Sequence, residues 1–184
     1  MDTPLTLDRT YLGIDPGSKG ALGMIQSKAT GHKISTFDVP MIRSTKKGVK
    51  DSYDIAGMVK LLEDAKATGP CQAFIEDVHA MPGQGVTSMF NFGKGFGIWL
   101  GILAALKIPY TLVSPVRWKK AMLADMRQDK AASRLRAQQL WPEATEQFSL
   151  VKHDGRAEAL LLAEYGSRLV SLYVESTKPL AQAS

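Results

Sequence analysis

Cysteine is almost absent from this chain: Cys71 stands alone, so no internal disulfide can form, which fits a reducing cytoplasm. No apolar run reaches the roughly 18 residues that a membrane span needs, so no membrane partner is expected. The opening residues, MDTPLTLDRT, are too polar and too few before the first strand to act as a signal peptide. There is no internal repeat and no linker. The 184 residues therefore read as one domain, 1–184, with a core over about 10–172 and frayed ends. Such a length buries a genuine core, and hydrophobic and charged contents of 45% and 22% are those of an ordinary globular protein.

Charge is what the chain has in excess. A net +5 and a pI near 9.3 lean toward a polyanionic partner. Between Lys107 and Arg136, eight basic residues face only Asp125 and Asp129, a local +6 that exceeds the charge of the whole chain. A solvated helical face and a nucleic-acid surface both fit that count.

Tyr11–Asp15 reads as a buried strand running into a Pro-Gly turn, with Ala21–Gln26 as its hairpin partner and Lys33–Val39 as a third strand. Residues 40–52, which carry Lys46, Lys47 and Lys50, read as a polar loop. A helix is expected over 54–66, a strand over 72–78, and a helix, apolar almost all round, over 87–106. A fifth strand spans 110–113. Ser114-Pro115 suits a helix start, and helices are expected over 115–124, 129–140 and 155–170. Three strands in a meander, followed by strand–helix crossovers, give an α/β fold: a mixed five-stranded sheet with helices on its faces.

Four carboxylates stand where packing does not call for them. Asp15 closes the first strand and Glu76 the fourth, while Asp154 and Glu158, four apart, share one helical face. If the first and fourth strands are neighbours, Asp15 and Glu76 lie side by side. Clustered carboxylates need a compensating cation, and hard oxygen donors suit Mg²⁺, with Mn²⁺ as a substitute. Two such ions would activate water and stabilise the leaving oxygen of a phosphodiester. Asp15 would bridge both ions, Glu76 would hold one, and Asp154 with Glu158 would complete the other. Singly, each has a plainer reading: Asp15 as a turn residue, Asp154 as a helix N-cap, Glu158 as a solvated first-turn acid. Asp77 alternates with Glu76 and reads as structural.

Three blocks, GIDPGSKGALG (13–23), FIEDVHAMPGQGVTSMFNFGKGFG (74–97) and KHDGRAEALLLAEYG (152–166), resemble the signature blocks of RuvC-like Holliday-junction resolvases. The likeness runs from about residue 11 to 170, and its middle block looks closest to the plastid and phage branch. It implies a ribonuclease-H-like fold and a homodimer that nicks opposed strands of a four-way DNA junction with Mg²⁺. It also implies metal binding by Asp15, Glu76 and the acids near 154–158. Bacterial members carry Asp-x-x-Asp in the last block. Here Gly155 stands three before Glu158, so Asp154 serves instead, a spacing that resembles the plastid branch. His153 remains a substitute ligand or proton carrier, with an ordinary loop histidine as the plainer reading. A bacterial or phage-infected cytoplasm is the expected location; a plastid one would require that a transit peptide had been removed.

Gly93, Gly97 and Gly101 recur every four residues, a smooth stripe that suits either packing on the chain's own sheet or, as the resemblance favours, a dimer seam. Arg117, Lys119, Lys120 and Lys130 follow the fifth strand, where the resemblance puts basic residues against phosphates. His79, Met81 and Gln84 belong to a loop region after Glu76 that would reach the junction centre, or serve as plain loop. Phe90, Phe92, Phe96 and Trp99 read as core. Three other functions compete. A ribonuclease-H-like enzyme acting on an RNA–DNA hybrid or a flap would use the same metal chemistry. An actin-like phosphotransferase would share Gly-Ile-Asp-x-Gly, but this chain is too short for two such domains. A non-catalytic DNA-binding module would gain nothing from four acids beside phosphate.

Overall fold

The computed structural model describes residues 8–29, 31–79, 83, 85–127 and 129–177. Its main sheet contains β1 (Arg9–Ile14), β2 (Ala21–Lys28), β3 (Gly31–Asp38), β6 (Cys71–Glu76) and β7 (Tyr110–Val113), in the order β3-β2-β1-β6-β7. The first three strands form an antiparallel meander, while β6 and β7 add in parallel, so the sheet is mixed and five-stranded as expected. Residues 40–52 are not wholly loop. β4 (Met41–Ile42) and β5 (Ser52–Tyr53) form a two-residue ladder, too short to show alternation in sequence.

The helices are α1 (Ile55–Ala67), α2 (Val86–Ala105), α3 (Pro115–Met122), α4 (Lys130–Leu140) and α5 (Asp154–Ser176). Asp54 caps α1 through Gly57 N at 3.0 Å, and Asp129 caps α4 through Ala132 N at 2.8 Å. Pro115 opens α3 as its spacing suggests, although the Ser114 side chain makes no capping bond. Two 3₁₀ segments, Pro142–Gln147 and Val151–His153, lead into α5. Among the described residues no helix is long and apolar enough to cross a membrane.

Strand alternation sends side chains to both faces of the sheet. Leu12, Ile14, Leu22, Met24, Ala73 and Ile75 join α1 and α2 in one core layer. Ile25 and Phe74 join α3, α4 and α5 in the other. The Gly13 and Gly23 positions explain how closely α5 sits. A Cβ on Gly13 would land on the Ala159 carbonyl oxygen, and one on Gly23 would come within 2.5 Å of Leu160 N. Glycine thus lets the α5 backbone lie directly on β1 and β2, and this contact brings the start of α5 to the end of β1.

Candidate active site

β1 and β6 pair in parallel with Ile14 opposite Ile75, so Asp15 and Glu76 leave adjacent strands one step later, at the same sheet edge. The Asp15 carboxylate accepts from Gly17 N at 3.3 Å, so its turn role and its position at the strand end coexist. Its charge, behind burial as the larger cause, helps to raise the pKa of the Tyr53 phenol.

α5 supplies the other two acids. Asp154 has helical dihedrals, φ −52° and ψ −47°, so it is the first residue of the helix and not an N-cap. It is ion-paired with Arg134, whose guanidinium also donates to the Val151 carbonyl at 3.3 Å. Glu158 is no solvated acid: its side chain is 11% exposed, lies 3.3 Å from Lys119 Nζ and accepts from the Ser133 hydroxyl at 3.4 Å. Glu76 accepts from the Trp118 indole N–H at 3.0 Å. Burial pushes the Glu76 carboxyl above its ordinary pKa. The indole and Lys119 oppose that shift, and the nearby Glu158 charge adds to it.

Asp15, Asp154 and Glu158 line one cleft of about 750 Å³, with Glu76 in electrostatic reach of Glu158 beside it. The four acids therefore share a neighbourhood, but they do not form a closed ligand cage. Among the described residues no three metal-ligating side chains converge closely enough to hold an ion. Lys119 and Arg134 sit on two of the carboxylates instead. The donor set still suits a hard divalent cation in kind, since all its atoms are carboxylate oxygens.

His153 departs from the loop-histidine reading. It ends a 3₁₀ turn in the cleft wall, is 7% exposed, and its Nδ1 has no hydrogen-bond partner. Burial, then Arg156 and Lys152, lowers its pKa. Asp38, in the cleft wall, accepts from Arg156 Nε and Nη2 at 2.6 Å, which ties α5 to the end of β3. Sequence reasoning missed this pair, and it missed the Trp118, Ser133 and Arg134 contacts. None is local in the chain, and an amphipathic helix does not reveal which acid its polar edge meets. The Asp77 N–H donates to the Val113 carbonyl at 2.8 Å, and its carboxylate lies 3.5 Å from His79 Nε2.

The expected DNA contacts divide. Arg117, Lys120 and His79 are exposed. Lys119 is engaged with Glu158 and lies 5.2 Å over the Trp118 ring, so it belongs to the acidic site. Lys130 begins α4, but its side chain lies outside the described residues, as do Met81 and Gln84 entirely. Gly93, Gly97 and Gly101 are exposed, and a Cβ on any of them would meet nothing within 4 Å among the described residues. That removes the reading in which they pack on the chain's own sheet; Gly95, two residues along and on the opposite helix face, packs against the Tyr53 phenol. The core reading holds for Trp99, fully buried, and for Phe96 at the core margin. It fails for Phe90, 72% exposed, and for Phe92, which lines a surface groove.

No family model matches the chain, and neither does any curated protein. Solved structures do. Thermus thermophilus RuvC in complex with a Holliday-junction substrate is 15% identical over 88% of this chain and 96% of its own, with a TM-score of 0.56. A second Thermus thermophilus RuvC structure gives 15% identity, the same coverages and a TM-score of 0.53. The yeast mitochondrial Holliday junction resolvase Ydc2 gives 15% identity over 89% of this chain and 80% of its own, with a TM-score of 0.54. None of these neighbours singles out a plastid or phage branch. What they establish is the architecture: the chain has the ribonuclease-H-like fold of RuvC.

Proposed function

We propose that this protein is a divalent-metal-dependent endonuclease that resolves four-way DNA junctions by paired nicks. The observation that carries this reading is that Asp15 shares a cleft with Asp154 and Glu158 at the start of α5, while Glu76 leaves the strand next to that of Asp15 at the same sheet edge. It occurs in a fold shared with a RuvC bound to a Holliday junction. Asp15, Glu76, Asp154 and Glu158 would hold Mg²⁺ or Mn²⁺. When bound, the metal supplies activation of water and stabilisation of charge on the leaving oxygen.

The protein's own groups do the rest. Trp118 fixes the Glu76 carboxylate by its indole N–H, and Ser133 and Lys119 fix Glu158. These bonds orient the ligands before substrate arrives, as supporting hydrogen bonds do around metal sites. Lys119 is 27% exposed, close enough to solvent to face a phosphate as well. Arg117 and Lys120, exposed on α3, would hold the sugar-phosphate backbone without reading sequence.

The exposed Gly93–Gly97–Gly101 stripe, flanked by exposed Val86 and Phe90 on α2, supports a homodimer built on this helix, whose two sites would serve two opposed strands. The test is cleavage of an end-labelled four-way junction with Mg²⁺, beside EDTA, linear duplex and RNA–DNA hybrid. Symmetric nicks in opposed junction strands, lost with EDTA and with Asp15→Asn, are expected. Preferential cutting of the hybrid would keep the metal chemistry and overturn the substrate. Junction binding without any cutting would leave only a binding module.

A further inference from the structure

A groove of about 560 Å³ lies between the β4–β5 hairpin and the first turns of α2. Lys19, Lys50 and Lys94 line it, together with Ser88, Asn91 and Phe92. It opens into the carboxylate cleft, for Ser18, Lys19, Met41 and Asp51 border both. Asp51, the one acid among its described lining residues, is engaged in closing the hairpin by accepting from Ser44 N at 2.9 Å. The three lysines are exposed, and among the described residues none is in an ion pair. This sets them apart from Lys119 and Arg134, whose charge is engaged with the site's own acids.

The position of Phe92 adds a second kind of contact. A Cβ on Gly17 would stand 3.5 Å from Phe92 Cε2, so the ring lies beside the turn that carries Asp15. The groove thus offers exposed cations, hydroxyl and amide donors, and an aromatic ring beside the turn that carries Asp15. It lies on the α1–α2 side of the sheet, whereas Arg117 and Lys120 belong to the α3–α5 side.

We propose that this groove is a DNA track: Lys50 and Lys94 hold backbone phosphates of the strand on one side of the scissile position, and Phe92 receives an unstacked base. A strand crossing the carboxylates is then held from both faces of the sheet. This rests on the nuclease reading above. Lysine contacts to phosphate release counterions, each steepening the salt dependence of binding by about 0.9 for duplex DNA. Stacking on an aromatic ring adds affinity without salt dependence, at least about fivefold per base.

The experiment measures junction affinity of the full-length protein in EDTA, across a salt series, by anisotropy of a labelled four-way junction. Lys50→Gln with Lys94→Gln is expected to weaken binding and to lower the slope of log K against log salt by nearly 2. Lys28→Gln with Lys33→Gln removes the same charge at the far end of β2 and β3, and is expected to keep the wild-type slope. Phe92→Leu is expected to weaken binding at least about fivefold with the slope unchanged. A wild-type slope in the groove variant, or an equal loss in the far-end variant, overturns the track. Unchanged affinity in Phe92→Leu removes its stacking half. A wild type that binds no DNA at all would overturn the nuclease reading itself, a distinct result.

Discussion

Two groups of glycines in this chain do opposite things. Gly13 and Gly23 face inward, where a single added carbon would collide with the backbone of α5. Gly93, Gly97 and Gly101 face outward from α2, where the same carbon would meet none of the described residues. The inward pair lets α5 sit close enough to set Asp154 and Glu158 beside Asp15. The outward three leave a helix face bare. One residue type therefore builds the site in one region and a candidate contact surface in the other, and only the neighbours decide which.

The largest expected effect breaks the inward contact. In Gly13→Ala the new methyl meets main-chain atoms that cannot rotate away, so a loss of about 3 kcal/mol or more is expected. For a chain of this size that is a fall in Tm of roughly 6–12 °C, read by a thermal melt. A variant that melts like the wild type would mean that α5 is not seated on β1 as described.

A smaller effect sharpens the consequence of that seating for Glu76. Its carboxyl is raised above the ordinary value of 4.5, first by burial. The sign follows from linkage: the folded state holds this proton more tightly, so the penalty is absent below about pH 4.5 and grows as pH rises. It is complete above the folded-state pKa. Glu76→Gln is therefore expected to raise Tm in EDTA at pH 7–8 and to lose this advantage near pH 4. Mg²⁺ should stabilise the wild type and not the variant. Equal melting curves across the range would contradict the buried-charge account.

The smallest effect tests the outward glycines. Gly97→Ala relieves the helical cost of glycine, a gain of up to about 1 kcal/mol, because nothing stands in the way of the methyl. Chemical denaturation of dilute protein reads that gain, and sedimentation at higher concentration reads association. If the stripe is a dimer seam, association weakens while dilute-protein stability rises.

Much of this was legible from the residues. The five strands announce themselves by short apolar runs bounded by turns, and Asp15, Glu76, Asp154 and Glu158 stand out as acids at the ends of apolar segments. Less visible was what holds them. Trp118, Ser133 and Arg134 lie on α3 and α4, 20 to 42 residues from the acids they contact, and no periodicity encodes such pairs. The regular spacing of Gly93, Gly97 and Gly101 drew attention to glycines that pack against nothing among the described residues. Gly13 and Gly23, lacking a helical spacing, carry the tight contact. Lys119 shows the same limit: in sequence it is one more base in a basic run, and in the fold it is the counter-charge of Glu158.

On the proposed function, four carboxylates from three elements act as one metal centre. The most direct test is Mn²⁺ binding to the intact protein, followed by the resonance of the free ion, with wild type beside Asp15→Asn and Glu158→Gln. One shared centre predicts that each substitution lowers the affinity at least tenfold, since even supporting groups around a metal cost 10–100-fold when removed. Wild-type affinity in both variants would contradict it.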